Sequence, residues 1–245
     1  MTADIPTRRG VLLATAAAVA LVLAAAACGP VLDPGTAGHT DFVQYGENPY
    51  DWHALLPLQR DAGWPEKRVQ MMWNPPWVLP LTLSVGLAPY PAGFLGWSAA
   101  QLAAVAAACW LLWGVYGGPA RYGWVAVLLG LAFAPTIFLL RLGQISGFQL
   151  LGLAGFLAAM RANRPALAGA AAALTAIKPH LLLPFAVLLL LDATAFRATR
   201  RAVMVGGLLL AVAAAVPTLW NPDVWGQYVA ATRAPTDAVH RSPHD

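Results

Sequence analysis

Acidic side chains are scarce in this sequence and are missing altogether from its longest part. The 245 residues include 11 Asp and Glu, and none of them lies between positions 67 and 191. That interval still contains cationic residues, among them Arg141, Lys178 and His180. An ionisable group at membrane depth is costly, so the few that occur in apolar sequence are functional candidates. A catalytic carboxylate is therefore expected from residues 31–75, and the cationic groups from elsewhere.

Charged residues of either sign are rare, and so are cysteines. Charged side chains make up 11% of the chain, against about 25% in soluble domains. Apolar residues make up 59%, and the mean hydropathy is +0.60. This balance excludes an ordinary soluble domain and predicts an all-α polytopic membrane protein. Cys28 and Cys109 both lie in apolar runs without the spacing of a metal site or a disulfide framework, so we expect packed thiols and no metal site.

The basic residues determine topology rather than nucleic-acid binding. They occur singly or in short loops, without the basic stripe that binds nucleic acid. Positive loops stay in the cytoplasm, so Arg8-Arg9 predicts a cytoplasmic N-terminus, and the loops 161–165 and 197–201 are also expected inside. A cleaved twin-arginine signal or a lipid anchor at Cys28 is the competing interpretation of the first apolar run.

Long apolar runs predict about eight membrane segments, because one span needs about 20 apolar residues. The runs cover residues 10–28, 76–90, 92–116, 124–140, 145–160, 166–177, 181–191 and 203–220. Residues 29–75 form a polar first outer loop in which we expect short surface helices. Residues 1–230 are predicted to form one membrane-embedded domain, and residues 231–245 a disordered tail.

Prolines break several runs, which favours a cavity because broken helices need protein or water to cover the freed backbone. With both basic loops inside, the tips at Arg141–Gln144 and Lys178–His180 face outside, as the acidic loop does. Three apolar runs separate that loop from Arg141, although an even number is required. The run 76–90 or the run 124–140 must therefore be re-entrant or split.

The outer loop mixes carboxylates, amides and aromatic rings. The residues of interest are Asp41, Tyr50, Asp51, Trp73 and Asn74. Rings pack on the C–H faces of sugars, polar groups bind the hydroxyls, and a carboxylate beside a hydroxyl takes its proton as attack begins. The structural alternative is that the rings are interfacial anchors and the acids are solvated.

Lys178 and His180 form a second candidate group, together with Arg141 and Gln144. Lysine holds a phosphate as a point charge, and histidine titrates near neutral pH. Snorkelling of Lys178 to the membrane surface is the structural alternative. A polar helix–helix contact would equally explain Gln144 with its neighbours Ser146 and Gln149.

The ordered set of motifs resembles glycosyltransferase family 87. The matching segments are 41–51, 72–77, 143–146 and 177–181, and their order and spacing follow the family over roughly residues 8–230. The family is related to polyprenyl-phosphate-mannose-dependent mannosyltransferases. The resemblance implies a GT-C fold in the plasma membrane, with an extracytoplasmic active site that takes a polyprenyl-phosphate sugar and a glycan or glycolipid acceptor.

The resemblance also implies roles for the candidate residues. Asp41 occupies the position of the general base, and Asp51 is the next candidate for acceptor binding. Lys178, His180, Arg141 and Gln144 would face the donor phosphate and sugar. No soluble cofactor is implied, dependence on a divalent metal stays open, and a single displacement would invert the anomeric centre.

Two departures from the family keep a second interpretation open. Tyr45 runs directly into Gly46, where relatives carry an aromatic insert, and relatives continue with further helices after Tyr228. The alternative is therefore a truncated or non-catalytic membrane protein, such as a transporter, a lipid-binding subunit or a decayed enzyme. A carrier would favour charges spread over several helices or an inverted repeat, and the sequence shows neither.

Overall fold

The computed structural model describes residues 48–51, 53–55, 57, 73–86, 90–141 and 143–234, and within this part of the chain the secondary structure is helical, without strands. The α-helices are α1 (Leu79–Gly86), α2 (Tyr90–Val115), α3 (Gly123–Ala132), α4 (Ala134–Arg141), α5 (Ser146–Arg161), α6 (Pro165–Thr175), α7 (Leu183–Ala195), α8 (Arg197–Trp220) and α9 (Val224–Arg233). Short 3-10 turns cover Pro76–Val78, Ala120–Tyr122 and Pro179–Leu181. The all-helical prediction is confirmed for these residues.

Two helices in the described ranges are long and apolar enough to cross a membrane, over Leu95–Val115 in α2 and Arg197–Trp220 in α8. The bent pair α3 and α4 adds a third if it is one span. Helices α6 and α7 have 11 and 13 residues, so they are roughly 17 and 20 Å long, less than the 30 Å hydrocarbon core. The structure thus supports two or three spans, and eight segments stay a prediction.

The bend between α3 and α4 measures 60° and has a local cause. Phe133 is extended, with φ −68° and ψ 130°, and Pro135 follows in the first turn of α4. Proline lacks an N–H, and inside a continuous helix its ring clashes with the carbonyl four residues earlier, so the helix breaks just before Pro135. The Thr136 hydroxyl donates to the Gly130 carbonyl at 2.6 Å, so one of the freed oxygens keeps a partner.

The described chain divides into two compact units. Residues 94–211 form the first unit, and the described parts of residues 48–93 with residues 212–234 form the second. The prediction of one domain over residues 1–230 stays a prediction.

Small residues bring the helices of the first unit close together. Gly152 of α5 packs against Leu174 and Thr175 of α6, and Gly169 of α6 packs against Gly206 of α8. Small side chains let membrane helices approach closely, where dispersion contacts replace a hydrophobic driving force. The α5–α6 pair is therefore an antiparallel hairpin that returns the chain to the start of α5.

The first unit has two chemically different ends. The Trp97 indole near the start of α2 donates to the Gly143 carbonyl at 3.0 Å, just before α5 begins. At the other end Arg161, the last residue of α5, donates to the carbonyl of Val115, the last residue of α2. Helices α2 and α5 therefore run in the same direction.

Ala202, in the first turns of α8, is packed with Ala159 in the last turns of α5 and Ala168 in the first turn of α6. The α5–α6 connection and the start of α8 consequently lie at the Arg161 end of the first unit. The arginines at this end include Arg161, Arg164, Arg197, Arg200 and Arg201.

Candidate functional site

The polar end of the first unit is built on the turn that joins α4 to α5. Gly143 has φ +59°, a left-handed conformation that glycine adopts without strain. Its N–H donates to the Leu140 carbonyl, and the Gln144 N–H donates to the Leu139 carbonyl at 2.9 Å, which closes the end of α4. This turn places the Gln144 side chain immediately before α5, whose first residue is Ser146.

Lys178 forms hydrogen bonds next to this turn through both its side-chain ammonium and its backbone carbonyl. Its ammonium donates to Gln144 Oε1 at 2.7 Å and to Ser146 Oγ at 3.1 Å. Its backbone carbonyl accepts from Gln149 Nε2 at 3.2 Å, and the same amide also donates to the Thr175 carbonyl at 3.3 Å. Lys178 is thus positioned by three residues, from α5 and from the turn that precedes it, and is not a freely snorkelling side chain.

The electrostatics of this cluster favour an anion. Gln144 and Ser146 are neutral, so neither supplies a counter-charge to the ammonium. Burial lowers the pKa of Lys178, because removal from water disfavours the charged form. The N-terminus of α5 adds to the positive potential, since its first N–H groups have no partner within the helix and Ile145 provides no side-chain cap. Helix N-termini are suited to binding phosphate.

Gln101 of α2 is a residue of this end that the sequence analysis missed. Its side chain is 1% exposed, and among the described residues neither Nε2 nor Oε1 has a hydrogen-bond partner. The carboxamide lies against Gly147, the second residue of α5, where a Cβ atom would collide with Oε1. A buried, unpaired amide costs about 1–3 kcal/mol. In the sequence, Gln101 could have been noticed as the single amide side chain within the apolar run 92–116.

The other predicted donor residues are placed less closely. His180 follows Lys178 by two residues within the 3-10 turn Pro179–Leu181, and its side chain is exposed. Arg141 ends α4 three residues before Gln144, and its side chain lies outside the described part of the structure. Of the predicted donor group, the structure therefore brings Lys178 and Gln144 into direct contact and adds Ser146 and Gln149.

The predicted acceptor residues that are described lie in the second unit. Tyr50 is 2% exposed, its hydroxyl donates to the Asn74 carbonyl at 2.9 Å, and its ring centroid is 5.3 Å from that of Tyr228. Burial, with a smaller contribution from Tyr228, raises the pKa of Tyr50. These contacts join Tyr50 to the Asn74 segment and to Tyr228, and the substrate-binding role of Tyr50 stays a prediction.

Asp51 and Trp73 are more accessible than Tyr50. The Asp51 carboxylate accepts from the His53 N–H at 2.9 Å, which caps the helical residues that begin at position 53. Trp73 is 46% exposed. Asp41, the predicted base, lies outside the described residues. The described part of the chain has no group of three His, Cys, Asp or Glu residues that could hold a metal ion.

Comparison with known proteins connects these sites to one family. The model of glycosyltransferase family 87 matches residues 73–244, more than half of the chain. No curated protein and no solved structure matches. The matched range includes Trp73, Asn74, Gln144 and Lys178. The chain therefore belongs to glycosyltransferase family 87, which makes it a membrane glycosyltransferase by family.

Proposed function

We propose that this glycosyltransferase transfers a hexose from a polyprenyl-phosphate donor to a glycan or glycolipid acceptor, and that the hexose is mannose. The observation that carries the proposal is the Lys178 ammonium, which is positioned by Gln144 and Ser146 at the N-terminus of a 16-residue helix without a counter-charge from either. A polyprenyl-phosphate sugar combines an anion with an apolar tail. The cluster binds the anion, and the surrounding apolar helices accept the tail.

The reaction is a single displacement at the anomeric carbon. An acceptor hydroxyl oxygen forms the new bond as the bond to the phosphate oxygen breaks, and the phospholipid leaves with the electron pair. Asp41 is the proposed base for the hydroxyl proton, and Asp51 the proposed acceptor contact. Lys178 and the α5 N–H groups stabilise the charge that grows on the leaving phosphate, with Arg141 and His180 as further proposed contacts of the donor. The product has inverted anomeric configuration.

The distribution of arginines supports an extracytoplasmic site. Arg161, Arg164 and Arg200 lie at the end of the first unit opposite Lys178, and basic loops stay in the cytoplasm. The Lys178 end then faces outward across the plasma membrane. Helix α1 has eight residues, about 12 Å, which is too short to cross. Two spans, α2 and the bent pair α3–α4, thus lie between the outer loop and Arg141, which satisfies the parity requirement.

A comparison of two sugar donors, one lipid-linked and one nucleotide-linked, tests this proposal. Membranes that contain the chain should transfer label from polyprenyl-phosphate-mannose to endogenous acceptors. They should not transfer it from nucleotide-linked mannose when formation of the lipid-linked sugar is blocked. Transfer from the nucleotide sugar under that block would reject the lipid-phosphate donor. Binding of the lipid without any transfer would favour a lipid-binding subunit.

A further inference from the structure

An open groove of about 530 Å³ lies between α2 and α3 in the first unit. Its α2 wall consists of residues spaced three and four apart, which form one stripe of the helix: Cys109, Leu112, Trp113 and Tyr116. On α3 the groove is lined by Ala126 and Gly130, which are small and leave the space open. The volume lies within the range of about 300–1,000 Å³ for small-molecule sites. An apolar ligand therefore has both the room and the surface to bind here.

The groove begins at the basic end of the first unit and extends along α2 toward its middle. Tyr116 directly follows Val115, whose carbonyl accepts from the Arg161 guanidinium. Cys109 lies two helical turns earlier, about 10 Å further along the helix. Because α2 is long and apolar enough to cross a membrane, and Tyr116 at its end is 80% exposed, the groove starts at the membrane surface. Its inner part then lies at the depth of the lipid tails.

The turn between α2 and α3 fixes the outer wall of the groove. The Trp113 indole donates to the Pro119 carbonyl at 2.9 Å, and the same carbonyl accepts from the Tyr122 N–H at 2.9 Å. Gly118 lies against the Trp113 ring, where a Cβ atom would collide with it. The protein's own contacts thus hold this ring in place, so a ligand does not have to order it on binding.

Cationic side chains flank the outer end of the groove and have no acidic neighbours in the adjoining loops. Arg161 keeps further N–H groups besides the one already engaged, since a guanidinium has five. Arg121 is exposed, and its guanidinium carbon lies 4.7 Å from the centroid of the Tyr122 ring. The loops 116–122 and 162–164 contain no Asp or Glu. The charge at this end favours an anion, whereas the lining of the groove favours an apolar tail.

We propose that this groove binds one anionic phospholipid, with an acyl chain along the α2 stripe and the phosphate at Arg121 and Arg161. A further helix would use the apolar lining alone, whereas a phospholipid uses both the lining and the cations. With the Arg161 end in the cytoplasm, the lipid comes from the inner leaflet, whose anionic lipids attract basic residues next to a span. The site lies at the end of the first unit opposite Lys178, so it does not depend on the proposed sugar transfer.

Native mass spectrometry of the purified full chain in detergent tests this site. The probes are phosphatidylglycerol and phosphatidylcholine with the same acyl chains, and the readout is the dissociation constant of the first bound lipid. The parent should bind phosphatidylglycerol more tightly. Arg121→Gln should weaken phosphatidylglycerol about tenfold, the scale of losing one charge-assisted hydrogen bond, and leave phosphatidylcholine unchanged. Arg161→Gln should act in the same direction.

Two matched controls separate the groove from its surroundings. Arg201→Gln removes an exposed arginine of α8 at the same end, and it should leave both lipids unchanged. Ala126→Phe fills the groove and should weaken both lipids. Leu129→Phe places the same ring on a position of α3 that is 67% exposed and outside the groove lining, so it should weaken neither.

Equal losses in Arg121→Gln and Arg201→Gln would show general attraction to the basic end and would overturn the site. Parent affinity in Ala126→Phe, or pairs of chains in place of bound lipid, would overturn the groove as the position of the lipid. If Ala126→Phe does not fold, parent affinity for phosphatidylglycerol in both Arg121→Gln and Arg161→Gln still overturns the inference. Phospholipid binding as expected in a chain that transfers no sugar would reject the proposed function alone.

Discussion

Lys178 shows what a single residue contributes to this account. Its isolation in acid-free sequence identified it as a candidate, because a lone ionisable group in apolar sequence is costly. Its partners were less predictable. Gln144 and Ser146 are more than 30 positions away, and a polar helix contact explained them equally well. The Gly143 turn and the α5–α6 hairpin bring the three side chains together, which the sequence alone did not predict.

Replacing Lys178 should separate stability from donor binding. Lys178→Met removes the cation at similar length, and we expect the affinity for polyprenyl phosphate to fall about 100-fold, the scale for losing one preorganised electrostatic partner. Thermal stability should be unchanged or raised, because burial disfavours the ammonium. Arg200→Met is the control, since it removes an exposed cation at the opposite end of the first unit. Equal losses in both variants would indicate general electrostatic attraction.

The lowered pKa of Lys178 also predicts a pH dependence of stability. In the folded state the pKa lies below the unfolded value of about 10.4, so between the two values the unfolded chain binds more protons. Without donor, stability should therefore rise with pH across that window, relative to Lys178→Met. The measurement is the difference between the unfolding curves of parent and variant from pH 7 to 11. A difference that falls with rising pH would show that the ammonium is stabilised in the fold.

At the scale of elements, apolar runs located the helices and prolines located their breaks. The run 124–140 divides at Phe133, two positions before Pro135, and the described residues between 76 and 115 form a 3-10 turn, α1 and α2. Helices α6 and α7 follow the predicted runs 166–177 and 181–191 to within four residues at each end, and both fall short of a full span.

Neighbouring glycines in α8 provide a matched test of the helix packing. A Cβ on Gly206 would lie 2.9 Å from the Gly169 carbonyl oxygen, whereas a Cβ on Gly207 meets nothing within 4 Å. We expect Gly206→Ala to destabilise the chain by about 1–3 kcal/mol through overpacking. Gly207→Ala should stabilise it by up to about 1 kcal/mol, because glycine is a poor helix former. Denaturant unfolding in detergent compares the two, and equal effects would contradict the α6–α8 contact.

At the scale of the molecule, the first unit has a basic end and a polar end, as the loop charges suggested. The sequence predicted this division from loop charge alone. The arrangement of the residues within each end depends on which helices are neighbours, as the contact of Gln101 with the start of α5 shows. Composition contains no information about such neighbours, so Gln101 was missed. The role of Asp41, which lies outside the described residues, stays a prediction from the family resemblance.

Cysteine labelling tests the topology directly. Cys28 and Cys109 are first replaced, and single cysteines are then introduced as Asp41→Cys, His180→Cys and Ala162→Cys. Positions 180 and 162 are exposed at opposite ends of the first unit, so a membrane-impermeant maleimide should label 180 in intact cells and 162 after permeabilisation alone. Position 41 should behave as 180 does. Labelling of 41 and 180 from opposite sides would exclude one shared active site.

The most direct test of the central claim is transfer of radiolabelled mannose from polyprenyl-phosphate-mannose by the full chain in membranes. The parent is assayed beside Lys178→Met, Asp41→Asn and the control Arg200→Met, at matched expression. We expect transfer by the parent and by Arg200→Met, a loss of about 100-fold or more in Lys178→Met, and loss of transfer in Asp41→Asn. Transfer by Lys178→Met at the parent's rate would contradict the assignment of the phosphate site to Lys178 and the start of α5.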